Sequence, residues 1–203
     1  LWGWNPSAAA ERLVQSRLLA KGSSLVVLGC GYGRECKFFV ENGFAVTGVD
    51  WSSKGIEIAK KLQPRGLSYA LICMDLCLFL ETTRTNWDCV FVNHTFAHLE
   101  QELRFSVYGD IRRCLRDRGI FCLAEPSVND TCYERCKKAA EENTWTDHRG
   151  LITHFFSEKE LRGCLAGQFN IIEMEEISEA HSSSRTVGAV HTHSVLYCTV
   201  MKL

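Results

Sequence analysis

The chain has 203 residues, of which 46% are hydrophobic, and this is enough material for one hydrophobic core. Its 23 Lys and Arg residues against 24 Asp and Glu residues give a formal net charge of -1, so no excess of positive charge indicates binding to nucleic acid or to an anionic membrane. We therefore expect one soluble domain over residues 1–203, a monomer or a weak homodimer, with neither nucleic acid nor a membrane as its partner.

The eleven cysteines are scattered through hydrophobic runs and their number is odd, which argues against a disulfide framework. The pairs Cys73/Cys77 and Cys132/Cys136 are four positions apart, not the three of a C-x-x-C metal clip. No apolar run has the length that spans a bilayer, and the zones of a signal peptide are missing. These features predict free thiols, no metal site and a cytoplasmic location.

The first predicted element is an amphipathic helix that opens after Pro6 and closes at Gly22. We expect residues 1–22 to form this helix and a lid, with Trp2 and Trp4 over the ligand. Short apolar runs then alternate with helical stretches. The predicted strands lie at 25–28, 45–49, 67–74, 88–93 and 119–124, and the helices at 34–42, 56–62 and 99–116. This alternation predicts an α/β fold with a parallel sheet covered on both faces.

The last third of the chain has a different pattern. A polar helix is predicted over 129–143, and a second helix opens at Ser157 with Glu160 at the capping-box position. Strands at 169–177 and 194–201 end the chain. The polar segment 178–193 between them is predicted as a mobile hairpin loop.

A glycine-rich loop follows the first strand. Gly29, Gly31 and Gly33 allow the backbone to approach a nucleotide-like ligand, with a helix N-terminus behind them. The dinucleotide fingerprint would place its third glycine where Arg34 stands, so the spacing does not favour a nicotinamide cofactor. The alternative is a tight strand-to-helix turn that binds nothing.

Two acids stand at the ends of the next strands. Asp50 lies at the distance from the loop that is typical of a carboxylate bound to the hydroxyls of a ribose. Asp75 ends the following strand, where it can accept a hydrogen bond from an adenine amino group. Together with the loop, these acids predict an adenosine-containing ligand.

The motifs resemble those of the class I S-adenosylmethionine-dependent methyltransferases over nearly the whole chain. The similar segments are 28–34, 46–52, 73–76 and 87–94. The resemblance implies a Rossmann-like seven-stranded sheet of order 3-2-1-4-5-7-6 with the last strand antiparallel. It also implies S-adenosylmethionine as cofactor, with S-adenosylhomocysteine as product. The implied cofactor-binding residues are Gly29, Cys30, Gly31, Gly33, Asp50, Trp51, Asp75, Leu76 and Asn93.

The most similar subgroup contains small-molecule methyltransferases of the thiopurine and tellurite-resistance type, which share stretches similar to 154–161. We therefore expect a small-molecule acceptor; a protein or RNA acceptor is the alternative. One departure from the family is Val27, which stands where the family carries an acid that organises the amino-acid end of the cofactor. This departure favours a second alternative, a catalytically silent binding or regulatory module.

His94 and His98 are the candidate catalytic bases, because both follow the strand whose end borders the reacting methyl group in the family. Their use depends on the acceptor, since a thiol needs no base whereas an amine or a hydroxyl does. For His98 a surface position at the start of a helix is an equal alternative. The candidate residues of the acceptor pocket are Glu125, Trp145, His154 and His191. Their alternatives are a strand end turned by proline for Glu125, packing under a loop for Trp145 and an exposed loop edge for His191.

Overall fold

A computed structural model describes residues 3–130, 136–182 and 190–203, without the side chains of 179–182 and 190–192. Its main sheet has seven strands, in the order β3-β2-β1-β4-β5-β10-β9. The strands are β1 (Ser24–Leu28), β2 (Ala45–Asp50), β3 (Ala70–Cys73), β4 (Trp87–Asn93), β5 (Leu115–Pro126), β9 (Phe169–Ser182) and β10 (Val190–Lys202). The first five pair in parallel, and β10 is antiparallel to both β5 and β9. The predicted α/β fold and strand order are confirmed.

Helices cover both faces of this sheet. They are α1 (Ala8–Gln15), α2 (Arg34–Glu41), α3 (Ser53–Lys61), α4 (Leu76–Thr82), α5 (Gln101–Cys114) and α6 (Glu158–Leu165), with a short 3-10 helix, η1 (Phe96–His98). Alternate residues of β1 point to opposite faces, so that Val26 packs with α4, α5 and α6, and Leu25 packs with α1, α2 and α3. Because the parallel strands all point the same way, their carboxyl ends meet at one edge.

Two helix predictions differ from the structure. Helix α1 ends at Gln15 and not near Gly22, because the Ser16 hydroxyl bonds to the Leu13 carbonyl at 2.7 Å and Arg17 takes a left-handed conformation, φ +56°. Helix α4 was not predicted. It begins after Asp75, whose side chain accepts the backbone N–H groups of Cys77 and Leu78.

The polar helix predicted over 129–143 is wrong for its described C-terminal part. Residues 131–135 lie outside the described residues, and the chain after them forms a small antiparallel sheet. Its strands are β6 (Lys137–Lys138), β7 (Thr144–Thr146) and β8 (Ile152–His154). Threonine and isoleucine in β7 and β8 favour extended backbone, and Trp145 packs edge to face on Phe155, with 5.2 Å between ring centroids.

The predicted hairpin loop over 178–193 is shorter than expected. Strand β9 continues to Ser182 and β10 begins at Val190. The two strands pair in antiparallel register, and Ser182 pairs with Val190. This pairing satisfies the backbone hydrogen bonds of a segment whose polar side chains suggested a loop. Residues 183–189 lie outside the described residues.

The cysteines follow the prediction. All ten described cysteines are free, and six of them are buried: Cys30, Cys36, Cys89, Cys114, Cys122 and Cys198. Burial raises the pKa of the Cys122 thiol to about 12 and that of the Cys198 thiol also to about 12. Cys132 lies outside the described residues. Among the helices of the described ranges, none has both the length and the hydrophobicity needed to cross a membrane.

Candidate functional site

A crevice opens at the carboxyl ends of β1, β2 and β4. It consists of two adjoining cavities, which we call the loop cavity, about 160 Å³, and the Trp51 cavity, about 500 Å³. Both cavities are lined by Gly29 and His94, so these two residues mark their junction. The crevice lies where ligands of open α/β sheets bind.

The glycine loop forms the floor of this junction. The N–H groups of Gly29 and Cys30 donate to the Val49 carbonyl at 2.8 and 3.0 Å, which ties the loop to β2. A Cβ atom at Gly29 would lie 2.2 Å from Oγ1 of Thr95, so only glycine fits there. Gly31 has φ +52° and open space beside its Cα, while Gly33 is buried and precedes α2.

Asp50 is nearly buried and supports the loop from β2. Its Oδ2 accepts the N–H of Gly31 at 2.7 Å, and its Oδ1 accepts the N–H of Ser52 at 2.8 Å. Each carboxylate oxygen has more than one acceptor site, so both keep the capacity to bind vicinal hydroxyl groups. Asp50 also lines the Trp51 cavity.

The Trp51 cavity has a flat aromatic wall. The indole of Trp51 is 80% exposed, although the residue directly follows a buried strand. Asp75 and Leu76 line the same cavity from the start of α4. The cap of α4 uses Oδ1 of Asp75, and Oδ2 takes no part in it. A large exposed aromatic surface beside two carboxylates is suited to a purine ring.

The loop cavity contains a carboxylate that the sequence analysis did not identify. Glu35, on the first turn of α2, is only 5% exposed and lines this cavity together with Val27 and Asn93. Arg34 lies 2.5 Å from its Oε1. Burial raises the pKa of the Glu35 carboxyl above its usual value, against the opposing effect of the Arg34 charge. The available signal was an acid on the apolar stripe of the predicted helix, four positions before Phe39.

Asn93 carries a buried acceptor in the same cavity. Its Nδ2 donates to Oε1 of Glu35 at 3.4 Å, which fixes the orientation of the amide. The Oδ1 atom is buried and has no hydrogen-bond partner in the described part of the chain. A buried acceptor of this kind costs free energy unless a ligand or water supplies a donor.

The N-terminal segment lies over the loop cavity. The Tyr32 hydroxyl donates to the Gly3 carbonyl at 2.6 Å, and the Trp4 ring packs edge to face on Tyr32 with centroids 5.1 Å apart. The N–H of Ser7 lies 3.3 and 3.4 Å from the two carboxylate oxygens of Glu35. The N-terminal segment thus contacts two residues that line the loop cavity, Tyr32 and Glu35, and Trp2 lies outside the described residues.

The two candidate bases take different positions. His94 has a left-handed backbone, φ +49°, with its N–H bonded to the Ala124 carbonyl at 2.9 Å, and it stands at the junction of the cavities. His98 is exposed at the rim of the Trp51 cavity. Its Nδ1 lies 2.8 Å from the Ile152 carbonyl, which only accepts, so Nδ1 donates and Nε2 remains the basic atom.

Glu125 corrects the sequence analysis, which assigned it to the acceptor pocket. The residue is 0% exposed and lies beneath the crevice. Its Oε1 accepts the N–H groups of Thr95 and Phe96 at 3.0 and 2.8 Å, and Oε2 accepts that of Ala97 at 3.1 Å. Burial raises the pKa of the Glu125 carboxyl, whereas the nearby His94 opposes this rise. The carboxylate therefore holds the turn that presents His94.

The other predicted acceptor residues do not meet in the crevice. Trp145 packs on Phe155, and His154 is buried between Thr144, at 2.8 Å, and Glu160, at 2.9 Å. His154 borders a separate cavity of about 560 Å³ beside α5 and α6. The backbone of His191 pairs with His181, but its side chain lies outside the described residues. Leu151, directly before β8, lines the Trp51 cavity.

Comparisons with known proteins agree with this geometry. Residues 26–123 match the family model of a methyltransferase domain. No curated protein sequence matched the chain. A methyltransferase structure from Methanosarcina mazei is 18% identical, with 94% of this chain and 97% of that chain covered and a TM-score of 0.73.

Two further similar structures have named functions. TehB from Haemophilus influenzae is 15% identical, with 95% of this chain and 62% of that chain covered and a TM-score of 0.72. The 1,6-didemethyltoxoflavin-N1-methyltransferase of Burkholderia thailandensis, with bound S-adenosylhomocysteine, is 18% identical, with coverages of 96% and 78% and a TM-score of 0.66. At these identities the likeness concerns the fold. Residues 26–123 thus match the model of a methyltransferase domain, and the chain as a whole has the fold of the S-adenosylmethionine-dependent methyltransferases that its sequence resembles.

Proposed function

We propose that the chain binds S-adenosylmethionine in the crevice and transfers its methyl group to a small-molecule acceptor. The observation that carries this proposal is the pair of cavities joined at Gly29 and His94. The Trp51 cavity suits an adenosine and the loop cavity suits an amino acid, so the sulfonium between them would lie beside His94. Residues 1–203 would act as a single domain, and its free thiols favour a reducing compartment such as the cytoplasm.

The residues present fit this cofactor in three ways. The open side of Gly31 leaves room for a ligand against the loop backbone. The exposed indole of Trp51 offers a stacking surface. The buried Oδ1 of Asn93 lacks a donor within the described residues, and the ammonium of an amino acid is a suitable one. Of the three, the Asn93 acceptor argues most directly for a bound group, because a buried acceptor without a donor is unfavourable.

When bound, the cofactor supplies an electrophilic methyl group for an in-line displacement. The chain's own contribution is then to align the acceptor and to exclude water. His94 is placed to take a proton from an amine or hydroxyl acceptor, and the turn held by Glu125 keeps its backbone fixed. His98, at the rim, is the second candidate base.

Calorimetry with S-adenosylhomocysteine tests the binding. Replacing Trp51 with Ala should weaken binding about tenfold to a hundredfold, because stacking on an aromatic ring contributes about 1–3 kcal/mol per base. Leu67→Ala is the matched control, since Leu67 is also exposed but does not line the crevice. No binding by the wild type at high protein concentration would contradict the proposal.

Turnover separates the enzyme from a silent binding module, the alternative that Val27 favours. We expect S-adenosylhomocysteine to be released when thiols, amines and oxyanions are screened as acceptors. The small-molecule class is favoured because similar structures include an enzyme named for, and bound to, 1,6-didemethyltoxoflavin. Binding of the cofactor without turnover of any small acceptor would favour the silent module or a macromolecular acceptor.

A further inference from the structure

The loop cavity needs a negatively charged group if it is to bind the ammonium of the cofactor. In the family that the chain resembles, an acid two positions before the first glycine organises the amino-acid end of the cofactor. Here that position is Val27, an apolar and buried wall residue. A primary ammonium group brought into a cavity of this kind needs an acceptor with a negative charge, because burying an unpaired charge is costly.

We propose that Glu35 takes over this role, and that its carboxylate and Oδ1 of Asn93 together receive the ammonium of the cofactor's amino-acid part. Glu35 lies on α2, eight positions after Val27, yet both residues line the loop cavity. The proposal rests on the proposed function, since it concerns the same bound molecule.

The carboxylate is held in place for this role. The Ser7 N–H spans its two oxygens, and Nδ2 of Asn93 donates to Oε1. Arg34 also pairs with Oε1 at 2.5 Å, whereas Oε2 receives the Ser7 N–H at the long distance of 3.4 Å and keeps the capacity to accept a further donor.

The charges of the cavity match an amino-acid zwitterion. Arg34 and Glu35 line it side by side, with side chains only 11% and 7% exposed. A carboxylate and a guanidinium in one cavity complement an ammonium and a carboxylate on one ligand. Burial raises the pKa of the Glu35 carboxyl and so disfavours its charged form, which a second cation beside it would stabilise.

The experiment compares two ligands that differ only at this end. S-adenosylhomocysteine carries the amino acid, whereas 5′-methylthioadenosine ends at the sulfur and lacks the ammonium. In calorimetry, Glu35→Gln should weaken S-adenosylhomocysteine about tenfold to a hundredfold, the effect of one hydrogen bond to a charged group. Its affinity for methylthioadenosine should change by less than about twofold. Glu41→Gln is the control, since Glu41 is exposed on the same helix and pairs with Lys37.

A second variant relocates the charge. Val27→Asp in the Glu35→Gln background places a carboxylate where the family carries its acid. We expect this double variant to bind S-adenosylhomocysteine about tenfold more tightly than Glu35→Gln does. If Glu35→Gln does not fold, Asn93→Leu carries the same comparison between the two ligands, with a loss of about tenfold confined to S-adenosylhomocysteine.

The outcomes separate this proposal from the one on which it rests. Wild-type protein that binds neither ligand contradicts the proposed function. Wild-type protein that binds both, with a Glu35→Gln variant that keeps full affinity for S-adenosylhomocysteine, overturns the role of Glu35. An equal loss for both ligands also overturns it, because it would mean that Glu35 only maintains the loop.

Discussion

The Oδ2 atom of Asp50 accepts the backbone N–H of Gly31 at 2.7 Å. The carboxylate at the end of β2 thus holds the glycine loop that follows β1, and the same side chain lines the Trp51 cavity. The loop conformation therefore depends on this carboxylate, and in the proposed function sugar binding would depend on it too.

Asp50→Ala should reduce the affinity for S-adenosylhomocysteine by about a hundredfold and destabilise the fold by about 2 kcal/mol. The N–H groups of Gly31 and Ser52 would each lose a partner, at roughly 1 kcal/mol apiece. Asp50→Asn keeps one acceptor oxygen and should cost about half as much stability. Calorimetry and urea unfolding measure both effects. The control is Asp117→Asn, since that side chain is fully exposed; a wild-type affinity in Asp50→Ala would contradict the assignment.

Gly29→Ala should destabilise the fold by about 3 kcal/mol, because a Cβ atom there would collide with Thr95 and the residue has φ +70°. Gly150→Ala separates the two causes. Gly150 has φ +84°, but no atom lies within 4 Å of the position that a Cβ would take, so only the conformational cost of about 1 kcal/mol applies. Thr95→Ala should recover part of the loss in the Gly29→Ala background. Urea unfolding measures all four proteins, and equal losses for Gly29→Ala and Gly150→Ala would exclude the collision.

Glu125→Ala should cost about 3 kcal/mol or more, because three backbone N–H groups of the turn after β4 would lose their acceptor. Glu125→Gln should cost only about 1 kcal/mol. Its single oxygen can take the place of Oε1 and keep the bonds to Thr95 and Phe96, which leaves Ala97 alone without an acceptor. Thermal unfolding compares the variants. A Gln variant as unstable as the Ala variant would mean that the charge itself, and not the hydrogen bonds, holds the turn.

The affinity for S-adenosylhomocysteine should fall as the pH is lowered from neutral toward 4.5, the ordinary pKa of a glutamate. Burial raises the pKa of the Glu35 carboxyl, so it takes up a proton at a higher pH than an exposed glutamate and then no longer attracts the ammonium. His94 and Arg34 share this cavity, and Cys36 lies beside Glu35, so the Glu35→Gln protein is the necessary reference. Over this range, calorimetry should show a pH-independent affinity of the Glu35→Gln variant for S-adenosylhomocysteine. The affinity of the wild type for methylthioadenosine should be pH-independent as well. A wild-type profile that is equally flat would contradict the prediction.

The fold was largely predictable from local patterns. Apolar runs with the period of buried strands located β1, β2 and β4 closely, because strands covered on both faces are hydrophobic throughout. Prediction failed where tertiary contacts decide the structure. Polar residues near Asn143 have helical composition, but pairing between β7 and β8 fixes the chain there as a sheet. The polar end of β9 likewise becomes a strand because β10 supplies its partners.

The residues of the candidate site also fall into two groups, those that the sequence identified and those that only the structure identified. The sequence by itself determined the glycine loop and the acids Asp50 and Asp75, since each lies at a strand end within one short motif. Only the tertiary structure decided that Glu35 and Asn93 share one cavity and that the Ser7 amide contacts Glu35, because the fold brings together segments separated by 28 and 58 residues. It also placed Glu125 under the turn and not in the crevice. Whether a carboxylate faces a ligand or caps a buried turn depends on which neighbours surround it, and the folded chain alone sets those neighbours.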